Sequence, residues 1–414
     1  MGQTLSEPVT DKHSLEGGNE HVVFGISSMQ GWRISMEDAH SVALHMKNKT
    51  VEEAIDFFAV YDGHGGDKVA NWCGEHLPKL LEQSEDFQKG DFEAALKQTF
   101  VEADKTILED ERFHTDPSGC TATVILRVGR KLYCANAGDS RTVLGARGVA
   151  KPLSVDHKPS NDEEKARICA AGGRVDFGRV NGNLALSRAI GDFEFKSSDL
   201  PPEKQIVTAV PDVVCHELTD DDEFVILACD GIWDCKTSQQ VVEFVRRGIT
   251  AHLPLQKIAE NLMDCCVATD AETTGLGCDN MTVCIVGLLN NMSVEQWMDE
   301  IAKRVENNDG PCAPPEYAEL PGSGWTNREQ DLPNVNMPFR IRRVDMDASL
   351  SVNDKNASED AAAKDSEMLH ADSSLAAGFR LKEHFFPLSS SNSRVVESPL
   401  PSNAPAVESL ENTD

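Results

Sequence analysis

The chain is short of bases. Against 69 aspartates and glutamates stand 39 lysines and arginines, a formal net charge of -30. Phosphate backbones are held by a Lys/Arg surplus, so this deficit excludes nucleic acid as a main partner and argues against a nuclease. A carboxylate surplus instead suits a site that gathers divalent cations. No run of 18 apolar residues occurs, and no membrane-spanning helix is expected. The opening MGQTLSEPVT lacks the basic-then-apolar pattern of a secretory signal. The twelve cysteines include no Cys-x-x-Cys pair and no Cys/His spacing for zinc. Most lie inside apolar runs such as LYCANAG and TVCIVGLL, which predicts buried free thiols in a reducing cytoplasm or nucleus. No repeat of period 20–50 is visible.

What the chain does contain changes character along its length. Residues 1–20 read as a flexible amino terminus, and 21–290 alternate apolar strands with amphipathic helices. SVEQWMDEIAKRV, with Ser293 and Gln296 as a capping box, predicts a last helix within 291–310. Residues 311–414 are rich in Pro, Ser, Asn, Ala and Asp and predict a largely disordered tail. From residue 291 onward there are 22 acids and 11 bases, so that part carries -11 and the first 290 residues carry -19. The acidity therefore belongs mainly to the folded part. DKVANWCGEHLPKLLEQ places Val69, Trp72, Cys73, Leu77, Leu80 and Leu81 on one helical face, with Trp72 as core. DFEAALKQTFVEADKTILED does the same after Asp91 as cap. SNDEEKARICAAGG opens with Ser160 and Glu163 as a capping box, and TSQQVVEFVRRGI and LQKIAENLMDCCVA give two more helices. Strands are expected at 22–27, 40–46, 55–61, 121–128, 131–137, 141–145, 206–210, 223–229 and 281–289. They arrive in clusters, which favours an α+β fold of antiparallel sheets with helices packed outside.

Four strands meet a carboxylate at one end. FFAVYDGHGG ends on Asp62, EFVILACDGIWD on Asp230 and LYCANAGDSR on Asp139; Asp279 immediately precedes the strand in GCDNMTVCIVGLL. One such Asp-Gly step reads equally well as a tight turn. Four carboxylates beside a core are costly unless paired or metal-bound, and Lys and Arg are sparse beside them. Hard divalent cations take oxygen ligands, and two cations sharing a bridging carboxylate need such a cluster. In MQGWRISMEDAHS, Arg33 offers a bidentate phosphate donor. Its alternative is a surface salt bridge to Glu37 at i+4.

GWRISMEDAH, FAVYDGHGG, SGCTATVIL, NAGDSR, VNGNLALSRAIGDFEFK, LACDGIWD and CDNMTV stand in the order found in type 2C serine/threonine protein phosphatases, the metal-dependent protein phosphatases. Over residues 21–290 the chain resembles that family. The helix at 293–307 followed by DGPCAPPEYAEL is similar to an extension of some fungal members. Cys120 stands where Ser is expected. The resemblance implies a four-layer αββα sandwich of two antiparallel sheets flanked by helix pairs, with metals in a cleft at one end.

Carried onto this sequence, it implies that Asp62 bridges two Mn2+ or Mg2+ ions. The Gly63 carbonyl joins one ion, and Asp230 and Asp279 bind the other. Glu37 and Asp38 act through metal-bound waters. Asp139 and Asp234, with Asp230, make a weaker third site. A hydroxide bridging the ions attacks phosphoserine or phosphothreonine, Arg33 holds the phosphate, and His64 protonates the departing oxygen. Residues 160–196 form a flap beside the cleft, where Arg179 either receives substrate or makes a structural ion pair. His76 and His157 read as solvated or capping residues, and Trp233 as core.

Expected partners are phosphoproteins, stress-activated or cell-cycle kinases among them, acted on by a monomer. A catalytically weak phosphatase-fold adaptor is the alternative. MGQTLS, with Gly2 and Ser6, fits the myristoylation pattern or a plain terminus, and a single acyl chain gives only weak, reversible membrane binding. FRIRRVDMD is the tail's one basic-apolar patch, either a docking element or inert.

Overall fold

A computed structural model of the protein describes residues 4–196, 199–270 and 275–318. Gly2, FRIRRVDMD and most of the expected tail lie outside the described residues. No described helix is long and apolar enough to cross a membrane.

Two antiparallel sheets dominate. The first has six strands in the order Thr4–Gly18, Val22–Arg33, Met281–Leu288, Asp222–Ala228, Arg141–Ala146, Val149–Pro152. The second has five, in the order Asp212–Glu217, Lys131–Ala137, Ala122–Val128, Ile55–Tyr61, Ala39–Ala43. Strand side chains alternate between faces. Thus Phe58 and Val60 turn toward the other sheet and meet Phe24, Ile26 and Val225, while Phe57 and Ala59 turn toward helices. The rings of Phe24 and Phe58 meet edge-on across the sheet interface, 5.6 Å apart.

Helices Lys68–Gln83 and Phe92–Glu109 cover the five-stranded sheet through Trp72, Leu77, Phe100 and Ile107. Helices Ser238–Thr250 and Leu255–Cys266 cover the six-stranded sheet through Val241, Val245, Ile258 and Leu262. The result is the four-layer αββα sandwich that the resemblance implied. Trp72 and Trp233 are buried as expected. The helix Val294–Glu306 is capped by Ser293 and Gln296, and buries Trp297 against the second helix pair. All twelve cysteines are free, although Cys169 and Cys215 are exposed.

Several local expectations are corrected. The amino terminus, expected to be flexible, forms the edge strand Thr4–Gly18. It is polar, so no apolar alternation marks it. Its ladder to Val22–Arg33 is reinforced by Lys12 to Asp264 (2.6 Å) and Ser14 to Glu260 (2.7 Å) on the neighbouring helix. Residues 206–210 form no strand. Thr208 makes one isolated bridge to Arg188, and the pairing strand is the half-exposed Asp212–Glu217. The helix after Ser160 starts at Asp162 with Asn161 at its cap and no side-chain cap bond, so the Ser160–Glu163 box does not form. The expected tail begins later than residue 311. Arg246 donates to the carbonyls of Asp309 and Pro311, Arg247 donates to Ala313, and Tyr317 packs edge-on against Phe244.

A third, small sheet lies where the strand Ile55–Tyr61 ends. Gly63–His64 pairs with Gly119–Cys120, which pairs in turn with Ile190–Gly191.

Candidate metal centre and active site

Asp62 directly follows the buried strand Ile55–Tyr61, and its backbone is clamped by Thr121. The Thr121 amide donates to the Asp62 carbonyl at 2.9 Å, and the Asp62 amide donates to Thr121 Oγ1 at 3.3 Å. Asp230 follows the strand Asp222–Ala228 at the start of a one-turn helix, and its amide donates to Asp62 Oδ2 at 3.4 Å. Burial pushes both carboxyls well above the ordinary carboxylate range. Repulsion from Asp230, Asp38, Asp139 and Asp279 adds to the effect at Asp62, and from Asp139, Asp279 and Asp234 at Asp230. Among the described residues no base pairs with Asp62 or Asp230.

The sequence expectation that bases are sparse beside all four strand-end carboxylates fails at the other two. Arg33 Nη2 lies 2.5 Å from Asp279 Oδ2, and Lys158 Nζ lies 2.5 Å from Asp139 Oδ2. Arg33 therefore pairs across the cleft mouth with Asp279 and not with Glu37. Lys158 was missed because it comes from a separate loop. That loop is held by His157, whose Nδ1 accepts from the Gly138 amide and whose Nε2 meets Asp212. His157 is thus a buried strut and not a solvated residue. Asp234 keeps an exposed edge, and its carboxyl is raised by partial desolvation and by Asp139 and Asp279, against the opposing charge of Lys158.

Glu37 and Asp38 close the other side. Glu37 accepts from Ser35 Oγ at 2.8 Å and from the Gly66 amide at 3.3 Å. Asp38 Oδ2 accepts from Thr282 at 2.7 Å, whereas buried Oδ1 has no partner. Burial, with repulsion from Asp279, raises the Asp38 carboxyl to about 7 despite the bond from Thr282 and the charge of Arg33. Asn280, unremarked in sequence, ties the segment together by accepting from the Glu37 amide and donating to the Gln30 and Ser35 carbonyls. Its only signal was its position beside Asp279. Gly63 abuts the Glu37 carbonyl so closely that a Cβ there would collide with it, which is why glycine follows Asp62.

These donors fit a hard divalent cation. The carboxylates of Asp38 and Asp62 converge with Cys229 to within 4.8 Å. The Cys229 sulfur is already bonded to Asn280 and Thr282, and burial keeps its thiol protonated. That leaves an oxygen site with an orphaned buried carboxylate oxygen and mutual repulsion for a cation to relieve.

His64 Nε2 lies 2.8 and 2.9 Å from the two carboxylate oxygens of Asp192. Burial alone would push the imidazole down. Asp192, by charge and hydrogen bond, and then Asp139 and Glu37 lift it above its ordinary value. Arg179 donates to the Asn183 carbonyl at 2.6 Å, and His76 stacks on Trp72.

The profile of the family described as Protein phosphatase 2C matches residues 22–275. The chain belongs to that family. It is 69% identical over 387 residues to Protein phosphatase 2C homolog 3 of Schizosaccharomyces pombe, spanning 94% of this chain and 92% of that protein. It is 50% identical over 309 residues to Protein phosphatase 2C homolog 2 of Saccharomyces cerevisiae, spanning 73% and 67%. Among solved structures, a phosphatase from Toxoplasma gondii superposes with a TM-score of 0.56 at 26% identity, covering 67% of this chain and 96% of that one. As a protein phosphatase 2C, the chain is a protein phosphatase that acts on phosphorylated proteins, and metal dependence is general for its family.

Proposed function

We propose that this phosphatase hydrolyses phosphoserine and phosphothreonine at a pair of divalent cations held by Asp62, the Gly63 carbonyl, Asp230 and Asp279. The observation that carries the reading is the contact of Asp62 with Asp230 in a half-buried setting where neither forms an ion pair with a base. When bound, Mn2+ or Mg2+ ions neutralise phosphoryl charge and acidify a water. Glu37 and Asp38 orient waters around the ions. Arg33, exposed at the mouth beside Asp279, is placed to turn its fork onto the phosphate. His64 supplies a proton to the seryl or threonyl oxygen.

Asp139 and Asp234, with Asp230, form a weaker third cation site. Its weakness follows from Lys158, whose ammonium must leave Asp139 before a cation takes its place. The catalytic domain is residues 21–290 with the edge strand Thr4–Gly18, the helix Val294–Glu306 and the segment to Tyr317 dock on it, and the residues beyond are a tail that chemistry does not need. Free cysteines suit a reducing compartment, and cytoplasm and/or nucleus is the proposed location of a protein that works as a monomer. Stress and cell-cycle kinases are its proposed substrates, with at most weak membrane association through an acylated Gly2.

The test is turnover of a phosphothreonine peptide by the chelator-treated full chain, with Mn2+ or Mg2+ then restored. Activity should disappear and return with the metal. Turnover that survives chelation contradicts the reading.

A further inference from the structure

His64 and Asp192 are 128 positions apart, yet the small third sheet sets them side by side. His64 and Gly191 both stand opposite Gly119 in register, one on each flank of that central strand. Asp192, the next residue, is buried at 4% exposure and takes the left-handed conformation with φ 51°. Asp tolerates that region at some cost. It also stands just before the short helical turn Phe193–Phe195, where an Asp side chain ordinarily caps, and it makes no cap bond there. Its carboxylate is spent on His64 instead. The space it occupies exists because residue 119 has no Cβ: one built there would overlap the Asp192 carboxylate. The segment is pinned by Asp104, which accepts from the Gly191 amide and from Lys196, each at 2.8 Å.

We propose that Asp192 is a positioning residue that fixes the His64 ring with Nε2 inward, so that Nδ1 delivers the proton to the leaving oxygen. This rests on the reading of His64 as the proton donor. A carboxylate only accepts, so Nε2 carries a hydrogen in this pair. Among the described residues nothing bonds Nδ1, which leaves it for substrate. In the reaction a water oxygen forms the new bond to phosphorus. The bond from phosphorus to the seryl or threonyl oxygen breaks with its electron pair on that oxygen, and the Nδ1 proton joins it there. The water's surplus proton passes to solvent, from which His64 is recharged. Without Asp192 the ring turns freely and the donor is lost for part of the time.

The experiment compares the full chain with Asp192→Asn, His64→Gln and the double variant, all Mn2+-loaded. The substrates are a phosphothreonine peptide, with a poor leaving group, and p-nitrophenyl phosphate, with a good one. Asp192→Asn should lower kcat on the peptide by about 10- to 100-fold, the scale for losing a partner that orients a functional histidine. Its kcat on the aryl ester should change far less, its KM should hold, and the double variant should match His64→Gln. Equal losses on both esters, or losses that multiply in the double variant, overturn the proposal. If His64→Gln itself shows equal losses, the proton-donor reading fails and takes this inference with it. If only Asp192→Asn does, this inference fails alone. Independently of turnover, nitrogen NMR of the 15N-histidine-labelled, Mg2+-loaded chain should show His64 Nε2 bonded to hydrogen, and that signal should change in Asp192→Asn. A wild-type Nε2 without hydrogen would also overturn it.

Discussion

The strand Ile55–Tyr61 has a buried or half-buried aspartate at each end, and the two have opposite surroundings. Asp56 is fully buried and fully paired. It accepts from Arg127 at 3.0 Å, from Asn19 at 2.9 Å and from the His45 amide at 3.1 Å. Asp62 meets other carboxylates and no base. Other buried acids resemble Asp56. Glu164 sits between Arg188 and Arg167, and Glu223 meets both Arg246 and Arg304 through Oε1, which balances its charge although buried Oε2 has no partner. A buried acid with its bases in place needs nothing more, whereas one surrounded by its own charge waits for a cation. The contrast sets a charge-balanced carboxylate against an unbalanced one on one strand.

The sharpest way to break the comparison is to neutralise each end. Asp62→Ala should abolish turnover of both peptide and aryl phosphate, well beyond the roughly 10²-fold that loss of an orienting partner costs. The metal-free variant should unfold no earlier than wild type, because a repelling charge has gone. Asp56→Ala should do the reverse. Stranding Arg127 should cost about 3–5 kcal/mol of stability, read by denaturant unfolding, while turnover per folded molecule persists. A destabilised Asp62→Ala, or an inactive but stable Asp56→Ala, would erase the distinction.

Changing pH sharpens it further. The Asp38 carboxyl keeps its proton in the metal-free fold up to about 7, whereas the unfolded chain loses it near 3.8. The fold therefore binds more protons in that window, and its stability should fall as pH rises from about 4 through about 7. Glu164 runs the other way. Burial opposes its charge, but Arg188, Ser187 and Arg167 hold it below its ordinary value, so its contribution is present above that value and fades as pH falls. Thermal unfolding of the chelated chain across this range should show the decline, and added Mg2+ should flatten it. The smallest effect is expected at the mouth. Arg33→Ala should raise KM for both kinds of substrate and change kcat less, since the role proposed for this exposed guanidinium is to bind phosphate.

Antiparallel sheets with helices outside were legible because apolar strands and amphipathic helices announce themselves by period, whereas their stacking into four layers came from the resemblance. Asp62, Asp230 and Asp279 were legible because a carboxylate interrupting or abutting a buried strand breaks that pattern. Thr4–Gly18 was not, since a polar edge strand is held by its ladder and by the bonds of its Lys12 and Ser14 to Asp264 and Glu260, far away in sequence. Asp192 and Lys158 were hidden for a related reason. Each is an ordinary charged residue in a loop, and only a two-residue strand pairing or a buried His157 brings it to the site. Long-range register, which no local pattern encodes, supplied what the sequence left open.

The central claim is that the unpaired carboxylates around Asp62 form a divalent-cation centre. Its most direct test is thermal unfolding of the chelator-treated full chain, titrated with Mn2+, beside the isosteric Asp62→Asn variant. Cations that bind only the folded state raise its melting temperature with concentration. Tm should climb with Mn2+ in the wild type and barely move in Asp62→Asn, which should start from an equal or higher metal-free value. A wild type indifferent to Mn2+, or a variant that climbs just as far, would contradict it.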